Sequence, residues 1–149
     1  YAKLGNPTRF EFSKPSMKNY DYSFSGLKTS ILYFLNAQVK LNPSFIEENL
    51  DDLCASIQST IIEILLKKIK KASKELSINE IAIAGGVSAN SGLRTALITT
   101  GKELNWNVYI PKFEYCTDNA AMIAITGQFM YQKKLFAHQG ISATARLKM

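Results

Sequence analysis

Ile81-Ala82-Ile83-Ala84-Gly85-Gly86-Val87-Ser88-Ala89-Asn90 decides the fold: an apolar run stops at paired glycines and passes at once to a serine-led helix. A short continuous apolar run, Ile81 to Ala84, predicts a strand buried on both faces in a parallel sheet. Gly85 and Gly86 permit positive φ and carry no side chain, so a ligand can approach the main chain closely. Ser88 is a good N-cap, and Ala89 to Leu104 is expected to be a helix whose first turn presents unpaired N–H groups and the positive end of its dipole. An anion would be stabilised there. The same order of residues also serves as a plain tight turn, and the stretch lacks both the three glycines of a dinucleotide fingerprint and the lysine of a P-loop. Turn and anion cradle therefore stand side by side at this point.

Downstream, Glu114-Tyr115-Cys116-Thr117-Asp118-Asn119-Ala120-Ala121-Met122-Ile123-Ala124 follows an expected strand, Asn107 to Ile110, and opens another helix. Two strand-to-helix transitions separated by one helix describe a right-handed crossover with both helix starts at one sheet edge. Asp118 would then sit near Gly85-Gly86. A carboxylate beside a phosphate site makes sense when a cation lies between them. Alternatively, Asp118 is an N-cap or first-turn acid.

Working outward, Thr8 to Phe12 alternates like an edge strand, and Ser13 to Tyr20 is a basic connector containing proline. Ser25 to Lys40 is expected to be a helix with Leu27, Ile31, Phe34 and Leu35 inward. Asn42-Pro43-Ser44 marks a break, and Ser44 with Glu47 suits a capping box. A long helix then runs to Leu76 with the apolar stripe Leu50, Leu53, Cys54, Ile57, Ile61, Leu65, Ile69 and Ala72. Asn79 to Ala84 and Val108 to Ile110 are the strands, Asp118 to Gln132 is the last helix, and Lys133 to Met149 a polar tail. The chain thus divides into a basic lead-in with its helix (1–43), a helical segment (44–77), a strand, glycine turn, helix, strand, helix core (78–132) and a tail (133–149).

At 149 residues and 46% hydrophobic, the chain is one domain's worth of core. Cys54 and Cys116 form no C-x-x-C pair, no secretory leader is evident, and no apolar run is long enough to cross a bilayer. A reducing cytoplasm fits that pattern best. No histidine is placed to serve Cys116 as a base, so a packed, inert thiol is expected, and His138 is expected to be a surface residue of the tail. The formal net charge of +6 favours a polyanionic partner. Lys67, Lys68, Lys70, Lys71 and Lys74 read as a solvated helix end, with Glu63 and Lys67 as an i,i+4 pair. Lys3, Arg9, Lys14, Lys18 and Lys28 are the basic residues expected to meet nucleic-acid backbone.

Three segments in order complete the reading: Ser23-Phe24-Ser25-Gly26-Leu27-Lys28-Thr29, then Ala84-Gly85-Gly86-Val87-Ser88-Ala89-Asn90 with Leu93-Arg94, then Cys116-Thr117-Asp118-Asn119-Ala120-Ala121-Met122-Ile123-Ala124. Together they resemble the TsaD family, the tRNA adenosine threonylcarbamoyltransferases once described as O-sialoglycoprotein endopeptidases. The resemblance runs from Leu4 to about Ala145. It implies a helix-rich α/β fold, the C-terminal part of the two-lobed actin/hexokinase/Hsp70-like (ASKHA) nucleotide-binding fold. It also implies transfer of threonylcarbamoyl from its adenylate to N6 of the tRNA adenosine next to the anticodon (t6A formation), with AMP released. Asp118 matches the family's metal-ligand aspartate, for iron or zinc; its two histidine ligands, in a His-x-x-x-His arrangement, have no counterpart here. Asn90 matches a substrate-contacting asparagine, Gly85 and Gly86 match the turn lining the nucleotide cleft, and Ser25 and Lys28 lie in a family motif. Ala120 stands where many relatives have glycine. The resemblance further implies tRNA, ATP-derived adenylate and TsaB- and TsaE-type partners in a bacterium. On this reading the chain is part of a longer protein, expected to be inactive by itself and to self-associate through apolar surface. Two other classes are weighed. A metalloprotease lacks a general base beside its aspartate, and a non-catalytic scaffold is disfavoured by the presence of Asp118 and Asn90.

Overall fold

The computed structural model describes residues 1–142. In chain order its regular elements are α1 (Phe24–Leu41), α2 (Phe45–Glu48), α3 (Leu50–Leu76), β1 (Glu80–Ala82), α4 (Ser91–Leu104), β2 (Asn107–Tyr109) and α5 (Ala120–Gln132). The architecture is helix-rich α/β with a small parallel sheet. The Lys133–Met149 tail is described only as far as residue 142, so its last seven residues lie outside the described part.

The first core forms where the lead-in segment and α1 meet α3. Phe12, Leu27, Leu53 and Ile64 are buried, and Phe10, Ile31, Phe34 and Leu35 pack against them. The expected edge strand over Thr8 to Phe12 is not formed. Its alternation instead places two rings in the core, Phe10 at 5.5 Å and Phe12 at 5.4 Å from Phe34, and the Phe10 N–H donates to Ser56 Oγ rather than to a neighbouring strand. Asp52 Oδ1 accepts the Asn6 N–H at 2.7 Å, and a Cβ at Gly5 would fall 2.0 Å from the Asp51 carbonyl oxygen. Glycine there lets the backbone lie directly on α3.

Two expectations for the helical segment are corrected. Ser44 makes no side-chain cap; its N–H donates to Asn42 Oδ1, while Asn42 Nδ2 reaches Glu48, so asparagine organises this turn in place of a Ser44–Glu47 box. Along α3 the fully buried residues are Leu53, Ala55, Ser56, Thr60, Ile64 and Ser73, whereas most of the expected stripe is half-buried. The helix has neighbours on two flanks, α1 with the lead-in on one and α4 on the other. Small hydroxyl residues let those neighbours come close, and Thr60 satisfies its own hydroxyl on the Ser56 carbonyl. Glu63 pairs with Lys14 of the connector, not with Lys67.

β1 pairs with β2 in parallel, Glu80 opposite Asn107 and Ala82 opposite Tyr109. Burial on both faces of the first strand does not hold. Only Ile81 of β1 is half-buried, because this sheet has two strands among the described residues. Asn107 Nδ2 and the Tyr109 hydroxyl donate to Glu80, at 2.5 and 2.6 Å. These bonds hold the Glu80 carboxyl below its ordinary pKa, and the bond to Glu80 raises that of Tyr109. α4, which makes the crossover, buries Leu93 and Leu97 and brings Gly101 so close to Val108 that a Cβ would lie 2.5 Å from its Cγ2. α3 and α4 both end on a left-handed residue, Ser77 and Asn105, each with φ 55°. α5 is exposed along its whole length, with Ile123 at 76% and Phe129 at 56% accessibility. No helix among the described residues is long and apolar enough to cross a membrane.

Candidate functional site

The loop after β1 does what its glycines allow. Gly85 adopts φ 78°, a conformation that side chains disfavour, and a Cβ at Gly86 would meet no atom within 4 Å. A single 3-10 turn, Gly86–Ala89, then intervenes before α4. That turn displaces the expected cap. Ser88 is buried at 1% accessibility, and its hydroxyl finds no hydrogen-bond partner among the described residues, while Asn90 caps α4 by accepting the Leu93 N–H on Oδ1 at 2.9 Å. Replacing Ser88 by alanine removes an unsatisfied hydroxyl and no cap. The expected result is therefore a melting temperature unchanged or raised, whereas loss of a helix cap would lower stability by about 1 kcal/mol.

Asn90 is held at both ends of its amide. Besides the capping bond, its Nδ2 donates to Gln58 Oε1 on α3 at 3.1 Å, leaving one N–H and one acceptor position for a ligand. Gly92 makes this contact available, since a Cβ there would lie 2.9 Å from Gln58 Nε2. Beside Asn90, the residues Ile57, Ile61, Leu65, Val87 and Leu93 line an apolar hollow of about 250 Å³.

The loop after β2 carries the second half of the site. It folds into a 3-10 turn, Phe113–Tyr115, and α5 begins at Ala120 with Asn119 as its cap, accepting the Met122 N–H at 3.0 Å. The cap reading of Asp118 is thereby replaced: Asp118 is exposed, just outside the helix. Arg94 on α4 spans the two loops. Its Nε donates to the Ser88 carbonyl at 2.6 Å, and one terminal nitrogen donates to the Pro111 carbonyl at 2.7 Å and to Cys116 Sγ at 3.1 Å. The same guanidinium lies 4.0 Å from the Phe113 ring centroid. Cys116 is packed, at 2% accessibility.

A family model described as tRNA N6-adenosine threonylcarbamoyltransferase, TsaD, matches residues 1–125. The chain belongs to the TsaD family. Among similar TsaD proteins, each named tRNA N6-adenosine threonylcarbamoyltransferase, that of Riemerella anatipestifer is 57% identical over 99% of this chain. Those of Christiangramia forsetii and Thermosipho africanus are 53% and 42% identical, again over 99% of it. The chain spans 43% of the length of the Riemerella protein and 44% of the other two.

Gly85, Gly86 and Asn90 lie between β1 and α4 and Asp118 between β2 and α5; because β1 and β2 are parallel, both connections leave the same edge of the sheet. Ser25 and Lys28 are exposed near the start of α1, a helix that packs through Leu27 on the Leu53–Ile64 flank of α3. Among the described residues no three His, Cys, Asp or Glu side chains come together as a metal site. One exposed carboxylate, Asp118, fits the part of a single ligand and does not by itself hold an ion. His138 is exposed, its Nδ1 accepting the Gly140 N–H. Lys14 of the lead-in shares a groove of about 630 Å³ with Lys67, Lys68, Lys70 and Lys71, and Lys68 is tied to the carbonyls of Met17 and Asn19. Gln58 and Arg94 are the residues that sequence reasoning passed over as actors. A signal existed for Arg94, one helical turn beyond Asn90 in the quoted motif, and none for Gln58, thirty-two positions away.

Proposed function

We propose that this chain forms the nucleotide and metal wall of a threonylcarbamoyl-adenylate:tRNA transferase, the C-terminal part of an ASKHA-type cleft. The observation that carries the reading is the placing of Asn90 and Asp118 on two loops tied together by one arginine. Within the reaction, the N6 amine of a tRNA adenosine attacks the carbamoyl carbon, the C–O bond to the adenylate phosphate breaks, the amine loses one proton and AMP leaves as a phosphate monoester. The turn at Gly85-Gly86 leaves bare backbone beside the adenylate, and Asn90 offers it one N–H and one acceptor position. A bound iron or zinc ion supplies neutralisation of developing phosphate charge when present, with Asp118 as the ligand this chain contributes and two histidines contributed from outside it. Ser25 and Lys28 are assigned to the substrate side of the complete cleft, tRNA to the basic surface, and TsaB- and TsaE-type proteins to the partners. The exposed apolar face of α5 is the surface through which the 149-residue chain alone would self-associate.

The test is transfer of labelled threonylcarbamoyl from its adenylate to tRNA by the full-length protein with its partners, set beside the 149-residue chain. Transfer by the former and none by the latter is the expected pair of results. A full-length protein that binds its partners and transfers nothing would favour the scaffold.

A further inference from the structure

We infer that Arg94 is a positioning residue that sets the Asp118 loop against the Gly-Gly loop, and that ligand grip across the sheet edge depends on its planar fork. This deepens the proposed function and rests on it for the identity of the ligand. The hydrogen bonds of residues 111–119 among the described residues carry the argument. Within the loop they are local: Tyr115 to Lys112, Cys116 to Phe113 and, through Sγ, to Lys112, and Asn119 to Thr117. At its far end Asn119 caps α5, which is itself exposed throughout. Every hydrogen bond that ties the loop back to the rest of the fold comes from Arg94, to Pro111 and Cys116. The other side of the same guanidinium holds the Ser88 carbonyl, two residues before Asn90.

Arginine is required by geometry. Three donations leave one delocalised plane in fixed directions while its face lies over Phe113, and each is strengthened by the positive charge. A lysine ammonium in that position is a point charge on a flexible stem; its three donors can reach two carbonyls, as Lys68 does, but they have no fixed directions and no planar face to lay over Phe113. Arg94 touches no reacting atom on this account. Its effect is on where Asp118 stands relative to Asn90.

The experiment uses the full-length protein with Arg94→Lys and with Cys116→Ala, the second removing one acceptor of the fork without touching α4. Two readouts are taken: amide exchange of residues 112–118 in the ligand-free protein, and the KM and kcat for threonylcarbamoyl-adenylate. Misplacement by about 1 Å can lower rates about 100-fold, so Arg94→Lys is expected to lower kcat/KM about 10- to 100-fold, mainly through KM, with exchange raised in 112–118 and α3 still protected. Cys116→Ala is expected to shift both in the same direction by less. Should Arg94→Lys fail to fold, Cys116→Ala decides. Unchanged exchange in 112–118 overturns the inference. So does raised exchange with KM and kcat as in the parent, which would leave Arg94 a merely structural residue. Because exchange is read without ligand, a parent that transfers nothing would sink the proposed reaction while exchange still decides the clamp.

Discussion

Asp118→Asn in the full-length protein is expected to lower threonylcarbamoyl transfer by more than about 100-fold, since even the supporting partners of a metal ligand are worth about 10- to 100-fold. The substitution keeps size and shape and removes the charge that a cation would need. Its structural cost is expected to be small. Asp118 is exposed and lies outside α5, whose cap is Asn119. Transfer kinetics alongside a melting curve separate the two contributions: activity lost at an unchanged melting temperature assigns Asp118 to the site. Activity within a few-fold of the parent would remove the central site residue of the proposed function.

Leu97→Ala is expected to act in the opposite way, on stability before chemistry. Leu97 is fully buried, at 0% accessibility, on the face of α4 that also carries Leu93 and Gly101. Truncating a buried leucine costs about 2–5 kcal/mol, the lost transfer energy plus the cavity left behind. At about 2–4 °C per kcal/mol for a chain of this size, the melting temperature should fall by roughly 10 °C. Leu97→Met, which conserves volume, should cost less than about 1.5 kcal/mol. A fall of no more than a degree or two for Leu97→Ala would mean that α4 does not anchor there. Because α4 carries Asn90 at its start and Arg94 one turn on, this helix is the platform on which both loops are mounted.

The helices and the order of the crossover were legible in the sequence because period and glycine placement are local signals. Gly85 illustrates the point: its φ of 78° is what a strand stopping at paired glycines leads one to expect. The failures share a cause. Alternation over Thr8 to Phe12 is consistent with any extended chain that buries every second side chain, and only the presence of α3 and Phe34 decides between a strand and an aromatic wedge. Ser88 and Asn90 are equally good caps on paper, and the 3-10 turn between them assigns the role. At the site, the motif residues were visible and their restraints were not. The partners of Asn90 and Cys116 come from Gln58 on another helix and from Arg94 across a loop, at separations no local pattern reports.

The amide of Asn90 belongs at once to the helix that begins there, to Gln58 on α3 and, in the proposed function, to the adenylate. A lineage released from selection for transfer would still keep an asparagine at this position, because α4 needs its cap and α3 its tether. The presence of Asn90 in a relative is thus no mark of a working enzyme, and it does not argue against a scaffold. Asp118 bears no such second duty, so in a lineage drifting toward a purely architectural life it is the residue that would be lost first.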